Sequence, residues 1–220
     1  MSGTLRVISV NIGLPRQVKW MGKLVTTGIF KEPVVGRIRI GPMNLEGDRQ
    51  ADLSVHGGPY KAVYAYAAEH YAAWRNELSG RELPWGMFGE NLTVRGGLFE
   101  DEIYVGDHFT VGTAELVAAQ PRLPCYKLGM RFGTLKMVKR FANSGRYGVY
   151  FSVFSEGDVG VNDMLVRTKT SAHQVSIGDV GRLLLDRVHD PVLLKRAIDA
   201  EGLPERVRRK FEAMLHPARL

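Results

Sequence analysis

Apolar and polar positions alternate along most of the first three quarters of the chain. Leu5 to Ile12 has the alternation of a half-buried strand, and Gly13-Leu14-Pro15 ends it. Lys23 to Thr27 and Gly36 to Ile40 predict two further short strands, with Gly41-Pro42 as the breaker. Asn44 to Pro59 has little hydrophobic periodicity, and loops of that length inside compact domains are usually functional. Lys61 to Tyr66 predicts a strand. Ala67 to Leu78 predicts a helix, because Tyr71, Trp74 and Leu78 repeat at three- and four-residue spacing. Further strands follow at Asn91 to Val94, Glu115 to Ala119, Gly148 to Phe154 and Val161 to Thr168. Ile103 to Gly112 predicts a hairpin turning at Gly106-Asp107, and Leu135 to Asn143 a helix.

The pattern changes near residue 170. From Ser176 only helical periodicity remains, with one stripe at Ile177, Val180, Leu183 and Leu184. Asp190-Pro191 is an N-cap followed by a first-turn proline, and Leu193, Leu194, Ala197 and Ile198 form the stripe of that helix. Gly202 and Pro204 separate it from a last helix carrying Val207, Phe211, Met214 and Leu215. Many short strands with few helices predict a mainly β, α+β fold: a closed or nearly closed β-barrel over residues 1–170 with a three-helix extension over 171–220. The extension is too small to be stable alone and should pack on the barrel or on a second subunit. The barrel is expected to fold without it.

Composition narrows the function. A single cysteine in 220 residues excludes an intrachain disulfide, an all-cysteine zinc site and an iron–sulfur cluster built from this chain alone. The sequence opens on no basic-then-apolar leader, and no apolar run approaches the ~20 residues of a membrane span, so a cytoplasmic protein without membrane association is expected. The net charge of +7 suits anionic ligands. The basic residues are scattered apart from Arg206, Arg208, Arg209 and Lys210, which a helix would spread over a solvated face. No nucleic-acid motif accompanies them, and stable nucleic-acid binding is not expected.

Three segments can carry chemistry. In Gln120-Pro121-Arg122-Leu123-Pro124-Cys125-Tyr126-Lys127 two prolines stiffen an extended run that delivers the cysteine to a helix start. Arg122 and Lys127 flank it, and neighbouring cations favour the thiolate, the form that attacks electrophiles and binds metals. A buried structural cysteine is the alternative. In His56-Gly57-Gly58-Pro59-Tyr60-Lys61 paired glycines allow close backbone approach to an anion, with Lys61 supplying charge. His56 with Asp48 and Asp52 also has loose metal-ligand spacing, the basis of a hydrolase reading. In Phe88-Gly89-Glu90-Asn91, Glu90 and Asn91 can hydrogen-bond a heterocycle, or simply cap a strand.

Taken in order, these segments resemble the MOSC-domain family, in its YiiM-type branch. The matching text is Leu45-Glu46-Gly47-Asp48, Val55-His56-Gly57-Gly58-Pro59 with Lys61-Ala62, Phe88-Gly89-Glu90-Asn91-Leu92, Gly106-Asp107, and Gln120-Pro121-Arg122 with Pro124-Cys125-Tyr126-Lys127-Leu128. The likeness spans about residues 4–170, and the tail resembles the branch's three-helix extension. Val149 departs from it, standing where the family is associated with Trp, which bears on one pocket wall. The resemblance implies a molybdenum cofactor, a molybdopterin, with Cys125 as both metal ligand and catalytic residue. His56, Gly57, Gly58, Lys61, Glu90, Asn91, Arg122 and Lys127 would hold the rest of it. It further implies a reductase that strips oxygen from N-hydroxylated bases or amines, as in detoxification of 6-N-hydroxylaminopurine. The chain has neither cluster cysteines nor a dinucleotide fingerprint, so a separate electron-transfer protein must be the partner. A non-catalytic cofactor carrier or sulfur-transfer module is the alternative. The assembly state is left open, with a homodimer among the options.

Overall fold

The computed structural model describes residues 4–51, 57–185 and 190–216. In chain order the strands and helices are β1 (Arg6–Ile12), β2 (Arg16–Trp20), β3 (Lys23–Thr27), β4 (Glu32–Pro33), β5 (Ile38–Ile40), β6 (Val63–Ala67), α1 (Ala68–Glu77), β7 (Leu92–Arg95), β8 (His108–Val111) and β9 (Ala114–Pro121). They continue with α2 (Tyr126–Arg131), α3 (Lys136–Ser144), β10 (Val149–Ser155), β11 (Gly157–Val159), β12 (Leu165–Lys169), α4 (Ile177–Leu184), α5 (Pro191–Asp199) and α6 (Glu205–Leu215). The mixed α+β class expected from the pattern is the class observed. Among the described residues no helix is long and apolar enough to cross a membrane.

Eight strands form one sheet in the order β12-β8-β9-β10-β6-β7-β1-β4. All its pairs are antiparallel except β6 with β7, which the crossover through α1 makes parallel. The ladder does not run round into a closed barrel. Instead the start of β1 meets the chain entering β12 through one bridge, Arg6 to Met164, and the bond from Leu165 N to Leu5 O at 2.9 Å. β2 and β3 form a separate ribbon, and β5 pairs with β11. The expected hairpin turn at Gly106-Asp107 is displaced: β8 and β9 turn at Gly112-Thr113. Asp107 is instead a buried anchor, accepting from Tyr104 N at 3.0 Å and from Ser171 N at 2.8 Å.

Strand alternation divides the interior in two. On β6, Val63, Ala65 and Ala67 join an aliphatic core with Val10, Leu92, Phe109, Ala118 and Phe151. Tyr64 and Tyr66 join an aromatic cluster with Tyr71 and Trp74 of α1, Phe88, and Met137 and Phe141 of α3. The tail helices do not form a core of their own. Ile177, Val180, Leu183, Leu194, Ala197, Val207 and Phe211 belong to the same aliphatic core as the sheet. A Cβ on Gly106 (φ +88) would stand 2.6 Å from the carbonyl oxygen of Glu201, so the tail closes on the sheet too tightly for any other residue there. Asp190 caps α5 as its sequence predicts, accepting from Val192 N and Leu193 N with Pro191 in the first turn.

Candidate functional site

Adjacent strands place one row of side chains across one end of the sheet. Gln120 on β9 stands opposite Tyr150 on β10, and Tyr150 opposite Tyr64 on β6. Asn91, just before β7, completes the row, its Oδ1 accepting from Tyr64 N at 3.1 Å. This row is one wall of a cavity of about 420 Å³. The stiff segment after β9 adds Arg122, Cys125 and Lys127 to the lining, and α6 adds Arg206, Val207 and Lys210. Cys125 is extended (φ −132, ψ 176) and sits immediately before α2, where its carbonyl accepts from Leu128 N at 2.9 Å. The proline-framed run therefore brings the thiol to the pocket as the sequence implies.

The described lining is strongly cationic. Lys31, Lys61, Arg122 and Lys127 lie inside, and Arg49, Arg206 and Lys210 are exposed at its rim. Asp48 is the one carboxylate among the described lining residues, and it is committed to protein partners. Its Oδ1 accepts from Gly13 N at 2.9 Å, and its Oδ2 from Lys31 Nζ at 2.7 Å and Asn91 Nδ2 at 2.9 Å. Burial pushes the Lys31 amine below its ordinary value despite the pull of Asp48. Arg122, only 7% exposed, lies 5.3 Å from the Tyr64 ring centre and 5.5 Å from that of Phe141. Its Nη1 has no hydrogen-bond partner. Burial opposes the Arg122 charge, but Tyr64, Tyr150 and Cys125 outweigh it and raise the guanidinium's pKa. Burial likewise raises the Tyr150 hydroxyl against the opposing effect of Arg122, which keeps it a neutral phenol facing the pocket.

The expected site residues thus separate into four groups. Cys125, Lys61, Asn91, Arg122 and Lys127 line one pocket. Gly57 and Gly58 lie just before the short turn Pro59–Lys61 and do not line it. Gly58 is required by its φ of 100°, with open space where a Cβ would stand, so backbone conformation and not crowding selects glycine. Glu90 lies behind the wall, fully buried, accepting from Tyr71 Oη, Gly86 N, Phe88 N and Thr93 Oγ1. His56 and Asp52 fall outside the described residues. Of the three residues of the hydrolase reading only Asp48 is described, and it is held by Lys31 and Asn91.

Sequence reasoning missed Lys31 and Tyr150 and placed Arg206 and Lys210 on a solvated face. The period of two on β10 explains Tyr150: Val149 and Phe151 enter the aliphatic core, and Tyr150 between them turns to the pocket. The departure at Val149 therefore alters the core and not the pocket wall. Arg206 and Lys210 are four residues apart, a spacing that puts both on one helical face.

The MOSC domain model matches residues 52–166, a span that holds β6 to β10 and the cysteine segment. The uncharacterized protein YflK of Bacillus subtilis is 38% identical, covering 93% of this chain and 92% of its own. Protein YiiM of Escherichia coli is 33% identical over 80% of this chain and 79% of its own. A protein named "Reductase" from Gibberella moniliformis is 29% identical over 76% of this chain but only 30% of its own length. Among solved structures, YiiM from Geobacillus stearothermophilus is 29% identical and aligns with a TM-score of 0.79, covering 96% of this chain and 99% of its own. With the domain match over more than half its length and relatives of this identity along nearly all of it, the chain belongs to the MOSC-domain family.

Proposed function

We propose that the pocket binds a molybdenum cofactor through the Cys125 thiolate and that the protein reduces N-hydroxylated bases or amines. The observation that carries this reading is the pairing of the thiol with Arg122, a buried guanidinium, in one cavity whose described lining is rich in cations. A molybdopterin needs a soft thiolate donor, hydrogen-bonding groups for a heterocycle and cations for a phosphate, and the described lining offers all three types. Cys125 would ligate the metal, Arg122, Lys61 and Lys127 would hold anionic groups, and Asn91 and Gln120 would position polar edges.

When bound, such a cofactor supplies two-electron redox chemistry at the metal. The net conversion takes R–NHOH, two electrons and two protons to R–NH2 and water, breaking the N–O bond. The electrons would come from a separate electron-transfer protein. The Tyr150 hydroxyl, kept protonated by burial, is a candidate to hold a proton at the pocket wall. The relative named "Reductase" supports the reaction class.

Cys125→Ser tests the reading. In protein made in a cofactor-competent host, we expect bound molybdenum to fall and partner-driven reduction of an N-hydroxylated base to be lost. The melting temperature should stay within a few degrees, because sulfur-to-oxygen exchange at a half-buried position changes little volume. Lower stability with activity per folded molecule retained would mark a structural cysteine. Cofactor bound by the parent protein without turnover under any donor would favour a carrier.

A further inference from the structure

The four basic residues of α6 play different parts. Arg209 Nε donates to Glu205 Oε1 at 2.8 Å, and Arg208 Nη2 donates to the carbonyl of Ala200 at 3.0 Å. Arg206 and Lys210 line the pocket instead. Lys210 Nζ donates to the carbonyl of Leu184 at 3.1 Å, which anchors it to the end of α4 and leaves two ammonium protons. Arg206 lies close enough to Lys61 to help depress the lysine's pKa, second only to burial. The cavity thus has two tiers of cations: Arg122 and Lys127 are buried, while Arg206 and Lys210 of α6 are exposed. Like charges gathered at a cavity mouth repel one another until a multiply charged anion enters.

We propose that α6 supplies a second anion subsite at the pocket mouth, formed by Lys61, Arg206 and Lys210, that takes a phosphate monoester dianion. This rests on the reading of the pocket as an anionic-ligand site. Lys61, Arg206 and Lys210 line the same cavity, and Arg206 is near enough to Lys61 to act on its charge, so a dianion with three terminal oxygens would be drawn to all three. A carboxylate has too few oxygens and too little charge to use all three. The phosphate can belong to the cofactor or to a phosphorylated substrate such as a nucleotide. The tail is then part of the binding site and not only a cover for the sheet.

The test is titration of the full-length, cofactor-free protein with inorganic phosphate at constant ionic strength. The double variant Arg206→Gln/Lys210→Gln should lose affinity tenfold or more, and Arg209→Gln should leave it unchanged. Arg206→Lys should recover most of the loss, which a merely structural role would not do and which guards against a poorly folded double variant. Loss of cofactor retention in the double variant assigns the phosphate to the cofactor. Retained cofactor with a higher KM for an N-hydroxylated nucleoside monophosphate, but not for its free base, assigns it to the substrate. If Arg122→Gln abolishes phosphate binding while the double variant binds like the parent, the subsite is overturned and the cofactor reading stands. If neither variant affects binding, both fall.

Discussion

Two polar regions meet at the Asn91 wall and differ in kind. Running back from it, Asp48, Lys31 and Asn91, which also line the cavity, join Asn11, Ser9, Thr93, Glu90 and Tyr71 in a buried network in which side chains satisfy one another: Asn11 Nδ2 donates to Thr93 Oγ1 at 3.2 Å and Ser9 Oγ to Asn11 Oδ1 at 2.7 Å. In front of it, cations crowd a cavity, and Arg122 keeps an unused donor. Both regions draw on the same short motifs. Glu90 serves the network alone, while Asp48 and Asn91 touch both. Residue type and spacing cannot separate scaffold from site here; tertiary placement against the cavity does. A satisfied buried network specifies structure, whereas cations gathered around a cavity leave charge for a ligand to meet.

The largest expected effect concerns what holds both regions in place. A chain ending at Thr170 would strip the aliphatic core of Ile177, Val180, Leu183, Leu194 and Phe211. Burial of each is worth ~1.5–3 kcal/mol, and together they rival the ~5–15 kcal/mol by which whole domains are stable. The truncated chain should aggregate or lack a cooperative melting transition. A soluble fragment with a sharp transition would restore the separable barrel that the sequence pattern suggests.

Within the network, Asp48→Ala leaves Lys31 buried without its carboxylate, and removing one partner of a buried pair typically costs ~3–5 kcal/mol. Chemical denaturation should show a loss of that order. A loss below ~1 kcal/mol would mean that the network is not the structural half of the comparison.

Much of this was legible beforehand for stated physical reasons. The strand ended by Gly13-Leu14-Pro15, the α1 stripe and the Asp190-Pro191 cap are local signals, and local signals survive folding. The thiol segment was legible because prolines fix extended backbone whatever surrounds it. The hairpin was misplaced because Gly106-Asp107 and Gly112-Thr113 are both competent turns. The choice between them lies with Ser171 and Glu201, more than 60 residues away. β2 was missed because its outward residues, Arg16, Gln17 and Lys19, are exposed in a two-stranded ribbon that buries little. Glu90 was expected at the ligand because nothing in Gly-Glu-Asn says which of two adjacent polar side chains turns inward. Tertiary contact from Tyr71 and Gly86 decides that.

The smallest expected change in stability is also the sharpest test of the comparison. Arg122→Gln removes a buried charge whose Nη1 is unpartnered. It forfeits the contacts with Tyr64 and Phe141, worth ~0.5–2 kcal/mol, but relieves an unsatisfied donor of roughly 1–3 kcal/mol. The two nearly cancel, so stability should change by no more than ~1 kcal/mol, in contrast to Asp48→Ala. Anion affinity should nonetheless fall tenfold or more, because a charge-assisted bond of ~1.5–3 kcal/mol is lost. High salt should reproduce part of that fall in the parent protein and less of it in the variant. A variant that melts many degrees lower while binding anions like the parent would place Arg122 with the scaffold, and the division between the two regions would have to be redrawn.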